Sequence, residues 1–330
     1  MRPLGRRIAV ATLAATALAC TVSAAAAIPV APGIQLVPGQ TEPNREPDGN
    51  SILLEAPAGF IVFDTGRHLE HTRAIIDAAS AAGRPVQAII NSHWHLDHTG
   101  GNRLLRTIYP QVRIYASSAL QEALGGFLAD ERRQMLSMLE DTASSPEQLE
   151  LARTEVSLID SGAKLLPTDI VSDSGRRMIA GRVLELHLEA RTVTAGDVWV
   201  YDPATHVLLA GDLVTLPAPF LDTACPSRWQ EALGHLAAQP FQILVPGHGP
   251  PMSRPYLTIY RTAFTHLLSC AAAGQPKESC AEDWVSDSAE LVPQAQQGYA
   301  RALIAYYVQS VLRGDPARIA TLCGGAAHSY

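Results

Sequence analysis

The 330-residue sequence predicts an α/β fold interrupted by a helical insertion and closed by a C-terminal helical segment. Three observations predict it. Short apolar runs bounded by Gly and Pro alternate with segments of helical apolar spacing. Strand-rich halves of similar order lie before and after a helical stretch at 118–156, and from 255 onward helical spacing is continuous. A composition of 47% hydrophobic and 17% charged residues excludes a disordered chain or a coiled-coil rod.

The elements follow in order. Residues 28–47 are rich in Pro and Gly and read as a flexible leading segment. SILLEAP and GFIVFDTG form a strand–turn–strand pair, and Thr72 to Ala82 a helix closed by Gly83. PVQAIINSH is a buried strand running into a His-rich loop, followed by a helix in GGNRLLRTIYP and a strand in VRIYAS. In the insertion, Ser118, Asp130 and Ser145 are candidate caps, the last followed by Pro146 and Glu147. Its apolar residues Phe127, Met135, Leu136 and Met138 suit either packing on the body or a lid over a site. DIVSDSGRRMIA, GRVLELHLEA and DVWVYDPATHVLLAGD read as strands, with a turn at Asp202-Pro203-Ala204-Thr205. TACPSRWQEALGHLAAQ is a helix and FQILVPGHG a strand opening into a loop. Two helices follow, YLTIYRTAFTHLLSCAAAG and ELVPQAQQGYARALIAYYVQSVLRG, the second with a stripe of Leu303, Tyr306, Tyr307 and Val311.

Residues 1–27 read as a secretory signal. Arg2, Arg6 and Arg7 precede an Ala-rich apolar stretch, and Val22-Ser23-Ala24 or Ala24-Ala25-Ala26 fits a cleavage site. The paired Arg6-Arg7 is a weak hint of twin-arginine export. Ala17-Leu18-Ala19 before Cys20 is a poor lipidation signal, so a periplasmic or secreted protein is expected. No later apolar run is long enough to cross a bilayer, so no stable membrane insertion is expected after cleavage. Cleavage after residue 24 removes three arginines and no acid, taking the net charge from −7 to −10 and disfavouring nucleic acid as a partner. Four cysteines then remain in an oxidising compartment. Of the three possible pairings, Cys270–Cys280 closes a short local loop and Cys225–Cys323 ties the C-terminal segment to the body.

The most informative stretch is Asn91-Ser92-His93-Trp94-His95-Leu96-Asp97-His98-Thr99-Gly100-Gly101, where a strand gives way to a loop. His93 and His95 alternate on one face and can converge on one ion; Asp97 and His98, past the turn, can reach a second. Imidazole and carboxylate together suit zinc. Only eleven histidines occur in the whole chain, so the cluster is not a chance polar loop.

The run HWHLDH resembles the HxHxDH motif of the metallo-β-lactamase superfamily, and other marks follow that family's order. They are Phe63-Asp64-Thr65-Gly66, then Leu209-Ala210-Gly211-Asp212 and Pro246-Gly247-His248-Gly249. The resemblance covers a domain at 48–254 and implies a four-layer αββα sandwich with metals at one rim, plus a C-terminal helical extension at 255–330. It implies His93 and His95 on the first metal, Asp97, His98 and His248 on the second, Asp212 bridging, and Asp64 supporting the ligands from behind. One or two zinc ions are expected. The family's further first-site histidine, from an H-T-x-G-D segment, falls at Val193 in Thr192-Val193-Thr194-Ala195-Gly196-Asp197. Arg191 cannot replace it. His187 is the nearest imidazole, but its neighbours Glu185 and Glu189 suggest a solvated strand face. The first site should therefore bind more weakly than the second.

Such a site implies metal-activated water attacking a small-molecule ester, lactone, thioester or amide, including β-lactam-like bonds, with Asp97 helping to move the proton. The true lactamases of the family carry a non-aspartate where Asp212 stands, and Asp212 resembles the broader hydrolases, including thioester-cleaving types. Two other readings share the fold: a decayed metal-binding protein without activity, and a metal-dependent redox or sulfur enzyme. His68 and His71 could line the rim; His206, His235, His266 and His328 read as structural or solvated, and Trp94 as packing beneath the loop. Nothing in the sequence sets an oligomeric state.

Overall fold

The computed structural model describes residues 27–41 and 45–324. The expected signal segment, Cys20 and His328 lie outside the described residues. Seven strands form one sheet in the order of the chain: β1 (Ile28–Ala31), β2 (Ile34–Val37), β3 (Ser51–Ala56), β4 (Gly59–Phe63), β5 (Val86–Ile90), β6 (Arg113–Ala116) and β7 (Asp169–Ile170). The first four pair antiparallel; β4 through β7 run parallel. The second sheet holds β8 (Gly175–Ile179), β9 (Arg182–Ala190), β10 (Gly196–Asp202), β11 (Val207–Thr215) and β12 (Ile243–His248), ordered β12-β11-β10-β9-β8, with only β11 and β12 parallel.

Strand periodicity builds the layers. Ile52, Leu54, Ile61 and Phe63 of the first sheet pack against Leu184, Leu186, Val198, Val200 and Val245 of the second. Their alternate neighbours Leu53, Val62 and Ile89 face Ala74, Ile75 and Ala79 of helix α1 (Leu69–Ala81). On the other side, Trp199, Tyr201 and Leu208 face the helices that follow the second sheet. This is the αββα sandwich.

Between the halves, α2 (Leu96–Thr99) and α3 (Asn102–Ile108) follow β5, and the insertion comprises α4 (Ala119–Gly125), α5 (Phe127–Glu140), α6 (Pro146–Asp160) and α7 (Gly162–Leu165). It extends beyond 156. Ser145 caps α6 in a capping box with Gln148, as its sequence suggests. Asp130 is not a cap, because α5 starts three residues earlier. The insertion docks on the metal loop: Trp94 and Leu96 are buried among Ala119, Leu120, Leu128, Leu158 and Ile159. A buried Arg67–Glu155 ion pair adds to this contact. In this structure it packs as a wall beside the site.

After the second sheet come α8 (Pro226–Ala238), α9 (Arg254–Ala272), α10 (Lys277–Asp287), α11 (Gln294–Tyr307), whose last turn passes into a π-helical segment, and α12 (Pro316–Leu322). The structure joins Cys225 to Cys323 and Cys270 to Cys280. Two further expectations change. The leading segment supplies β1 and β2, a hairpin turning at Gly33, where φ is +67°. The α11 stripe is Ala300, Ile304, Tyr307, Val308 and Val311, while Tyr306 is exposed. Among the described residues, no helix is long and apolar enough to cross a membrane.

Candidate metal centre

The chemistry-bearing residues lie at one rim, where β4, β5 and β12 end and where β11 is bulged. Asp64 follows β4 with φ at +58°, a backbone conformation rare for aspartate and held here by its side-chain bonds. Its carboxylate accepts from Ser92 N (2.7 Å), Ser92 Oγ (2.7 Å) and His98 Nδ1 (2.8 Å). Burial raises its pKa against the opposing pull of His98 and these donors. In β11, the register shifts around Gly211, whose φ is +54°, and this bulge re-aims Asp212 into the rim. A Cβ on Gly247 would lie 2.0 Å from Asp212 Oδ1, so the β12 end approaches the carboxylate as only glycine allows.

Hydrogen-bond accounting assigns the imidazole protons. The Ser92 hydroxyl donates to Asp64, so His93 Nδ1, 2.8 Å from Ser92 Oγ, must donate to it; His93 Nε2 is left as a lone pair. His98 donates from Nδ1 to Asp64, so Nε2 faces the pocket, as a lone pair when an ion is bound and as a proton carrier when none is. His95 Nε2 lies 3.0 Å from the Thr223 hydroxyl, which itself donates to Val193 O at 2.9 Å. His95 therefore donates from Nε2, and its Nδ1 lone pair faces His93 Nε2 at 2.9 Å. Two lone pairs at that distance repel unless a cation lies between or beside them. Burial lowers the pKa of His93, and that of His95 to about 4, so a proton is a poor candidate for this cation.

A second set converges beside the first. His98 Nε2 lies 3.3 Å from His248 Nε2, 3.5 Å from Asp97 Oδ2 and 3.2 Å from Asp212 Oδ1. His248 Nε2 lies 3.0 Å from Asp97 Oδ2 and 3.6 Å from Asp212 Oδ1. A tetrahedron of nitrogen and oxygen donors about zinc has edges of about 3.3–3.4 Å, the size of these five distances. Asp97, His98 and His248 form one group with ligand atoms within 4.8 Å of one another, and His93, His98 and Asp212 another. Asp212 Oδ1 is buried without a hydrogen-bond donor, as a metal ligand would be. Its Oδ2 lies 3.9 Å from His93 Nε2, so the one carboxylate reaches both sets.

The electrostatics agree. Burial alone would raise Asp97 and Asp212, yet the facing His98 and His248 hold both carboxyls well below the ordinary range. Burial would likewise depress His98 and His248, but Asp212 and Asp97 hold both imidazoles above their usual value. The pocket thus attracts positive charge, and protons and metal ions compete for it. The open side lies at His95 and His248, which are half-buried.

Five of the expected ligands, His93, Asp97, His98, Asp212 and His248, fall in these two groups; His95 lies beside His93 but in neither group, and Asp64 lies behind His98. Val193 does not join them; it is fully buried in the apolar cluster over the second sheet. Arg191 turns to the C-terminal helices, donating to Thr321 O, and His187 stacks flat on Trp199 with ring centroids 3.7 Å apart. His71 Nε2 pairs with Ser51 Oγ at 2.8 Å and His68 Nδ1 with Asp48 Oδ2 at 2.9 Å, so both brace the rim from behind. Asp48, Ser92 and Thr223 were missed, for they belong to no spaced motif. Asp48 binds the backbone N–H groups of Arg67 and His68, fixing the turn after Asp64.

Comparison with known proteins now decides the family. The sequence model of the metallo-beta-lactamase superfamily matches residues 45–248. The chain belongs to that superfamily. It is 28% identical over 223 residues to a linear primary-alkylsulfatase of a Pseudomonas strain, covering 61% of this chain but 41% of that protein. A hydroxyacylglutathione hydrolase from Gloeobacter violaceus matches at 44% over 45 residues, 14% of this chain and 18% of that one. The chain thus spans less than half the length of these relatives. Among solved structures, the sec-alkylsulfatase Pisa1 from Pseudomonas sp. superposes with a TM-score of 0.56 at 20% identity, over 92% of this chain and 55% of that one. A metallo-beta-lactamase from Pontibacter korlensis gives 0.53 at 20% identity, over 72% and 98%. These two likenesses show the fold.

Proposed function

We propose that the protein is an exported, zinc-dependent hydrolase that cleaves an ester-type bond beside an apolar group. The observation that carries this reading is the pair of adjoining donor groups, Asp97–His98–His248 and His93–His98–Asp212, each with its ligand atoms within 4.8 Å of one another. His98, His248, Asp97 and Asp212 Oδ1 would hold the more secure ion. His93 Nε2, His95 Nδ1 and Asp212 Oδ2 would hold the weaker one, one donor short at Val193. A bound zinc ion supplies Lewis acidity and lowers the pKa of water from about 15.7 towards about 7. The chain's residues do the rest. Asp97 is kept ionised by His98 and His248, which suits it to an ion, and it would help move the attacking water's proton only where the ion leaves one of its oxygens free. Asp64 and Ser92 hold His93 and His98 in one tautomer each. Burial of His93 and His98 keeps bulk water from that side.

The rim favours an apolar substrate. Trp94 packs on Phe127 (5.2 Å) and His95 on Phe220 (5.1 Å), and Phe127 is 46% exposed beside the open ligand. Such a wall suits an alkyl or aryl carboxylic or sulfuric ester better than a glutathione thioester, in keeping with the names of the alkylsulfatase relatives. Two disulfides support an oxidising compartment.

The test is metal analysis of the purified mature protein beside a panel of an aryl ester, a lactone, a cephalosporin and an alkyl sulfate. Bound zinc with turnover supports the reading. Bound zinc without turnover on any of them favours a metal-binding non-enzyme, the alternative that Val193 supports; iron in its place favours redox chemistry.

A further inference from the structure

We propose that Thr223 is the positioning residue of the first donor set: its hydroxyl locks His95 as the Nε2–H tautomer and so makes Nδ1 the coordinating atom. The inference deepens the metal-binding reading above and rests on it for its consequence, though not for its geometry.

The argument is one of proton counting. Thr223 is buried, and its Oγ1 lies 2.9 Å from Val193 O and 3.0 Å from His95 Nε2. A hydroxyl has one proton, and a carbonyl can only accept. The proton therefore goes to Val193 O, and the hydroxyl lone pair takes the proton of His95 Nε2–H. Were Thr223 to donate to His95 instead, Val193 O would lose its side-chain donor in a buried setting. Val193 thus takes part through its backbone: its side chain is in the core, while its carbonyl orients the hydroxyl that orients His95.

Thr223 is held there from outside the residues the family model matches. Neighbouring Asp222 accepts from Arg318 Nη2 through its carbonyl (2.6 Å) and from the Tyr306 hydroxyl through Oδ1 (3.3 Å). Two residues on, Cys225 N donates to Thr192 O at 2.8 Å, and its sulfur is bonded to Cys323. The C-terminal helices α11 and α12 therefore reach the centre through one five-residue loop, 221–225. That gives the C-terminal segment a part in the site which its lack of ligands conceals.

Thr223→Val removes the hydroxyl at nearly constant shape. Two measurements are taken: the His95 tautomer in the metal-free protein, by long-range proton–nitrogen NMR, and the affinities of both pockets, by zinc titration against a chromophoric chelator. The expected result is loss of the pure Nε2–H tautomer and a fall of about 10–100-fold in the weaker affinity, with the tighter one unchanged. Thr223→Ser should restore both. Thr223→Ala serves should the valine variant not fold. An unchanged tautomer, or an equal loss at both pockets, would overturn the assignment. A wild-type protein that binds no zinc would sink the hydrolase reading and the proposed metal consequence with it, whereas the metal-free tautomer still decides the Thr223 contact.

Discussion

Asp64→Asn is the sharpest perturbation of the proposed centre, because it changes almost no volume. The carboxylate accepts three bonds: Ser92 N at Oδ1, and Ser92 Oγ and His98 Nδ1 at Oδ2. An amide has one accepting oxygen. With that oxygen towards Ser92 N, the NH2 group meets His98 Nδ1–H donor against donor, and relief comes only by moving the His98 proton to Nε2. That is the atom the second metal pocket needs as a lone pair. With the amide flipped, the NH2 meets the Ser92 N–H, which is buried and left unpaired. Either orientation costs about 1–3 kcal/mol for one unsatisfied buried group. Loss of an orienting partner lowers metal affinity by about 10–100-fold, or about 1.4–2.7 kcal/mol. Two assays separate the terms: thermal unfolding in EDTA reads the first and competitive zinc titration the second. A variant that unfolds like wild type in EDTA and binds zinc equally tightly would refute the proton assignment of His98.

Further expectations concern pH, the disulfides and position 193. In the metal-free protein, the raised pKa values of His98 and His248 contribute stability that is full below their ordinary value of 6.5 and lost as pH rises through the raised ones. The lowered carboxyls of Asp97 and Asp212 contribute stability that is present above 3.8 and lost as pH falls through the lowered values. His93 and His95 act the other way: their lowered values keep them neutral in the fold while the unfolded chain takes up protons below 6.5, so they cost stability as pH falls towards 4. The metal-free centre should thus contribute most near pH 6.5, with zinc affinity rising above it; melting curves across pH with and without zinc check both. Cys323→Ser opens a crosslink of sequence separation 98 and should destabilise by roughly 4.7 kcal/mol, against roughly 2.7 for Cys280→Ser at separation 10, read by urea unfolding. Equal losses would argue against the loop-entropy account. Val193→His places an imidazole in an apolar cluster and should lower stability in EDTA by about 1–3 kcal/mol, with zinc restoring it if the side chain turns to the first donor set.

What the sequence made legible follows from how locally each feature is written. Four of the six candidate ligands lie between His93 and His98, and the strands carrying them are apolar runs with clear ends. The leading segment was misread because β1 is the outermost strand, where Pro29 need not donate and a glycine turn is tolerated. In α11 the spacings from Leu303 and from Ala300 both fit a helix; only the packed neighbours choose, and they leave Tyr306 outside. Helix α10 is mostly polar, and its buried residues Cys280, Ala281, Trp284 and Val285 are too few to announce it.

Position 193 shows where such reading stops in principle. The motif comparison marks Val193 as a missing ligand, a statement about one side chain. In the fold the same residue's carbonyl accepts from the Thr223 hydroxyl, thirty residues further on, which lies 3.0 Å from His95 Nε2; the role proposed for it runs through that contact. Main-chain groups are identical at every position but proline, so no substitution pattern along the chain records them. The neighbours of Thr223 are likewise fixed by a disulfide to Cys323 and an arginine at 318, contacts across about a hundred residues. A motif lists the groups that could touch an ion. Which atom of His95 touches it depends on a proton, and that proton is placed by residues no motif contains.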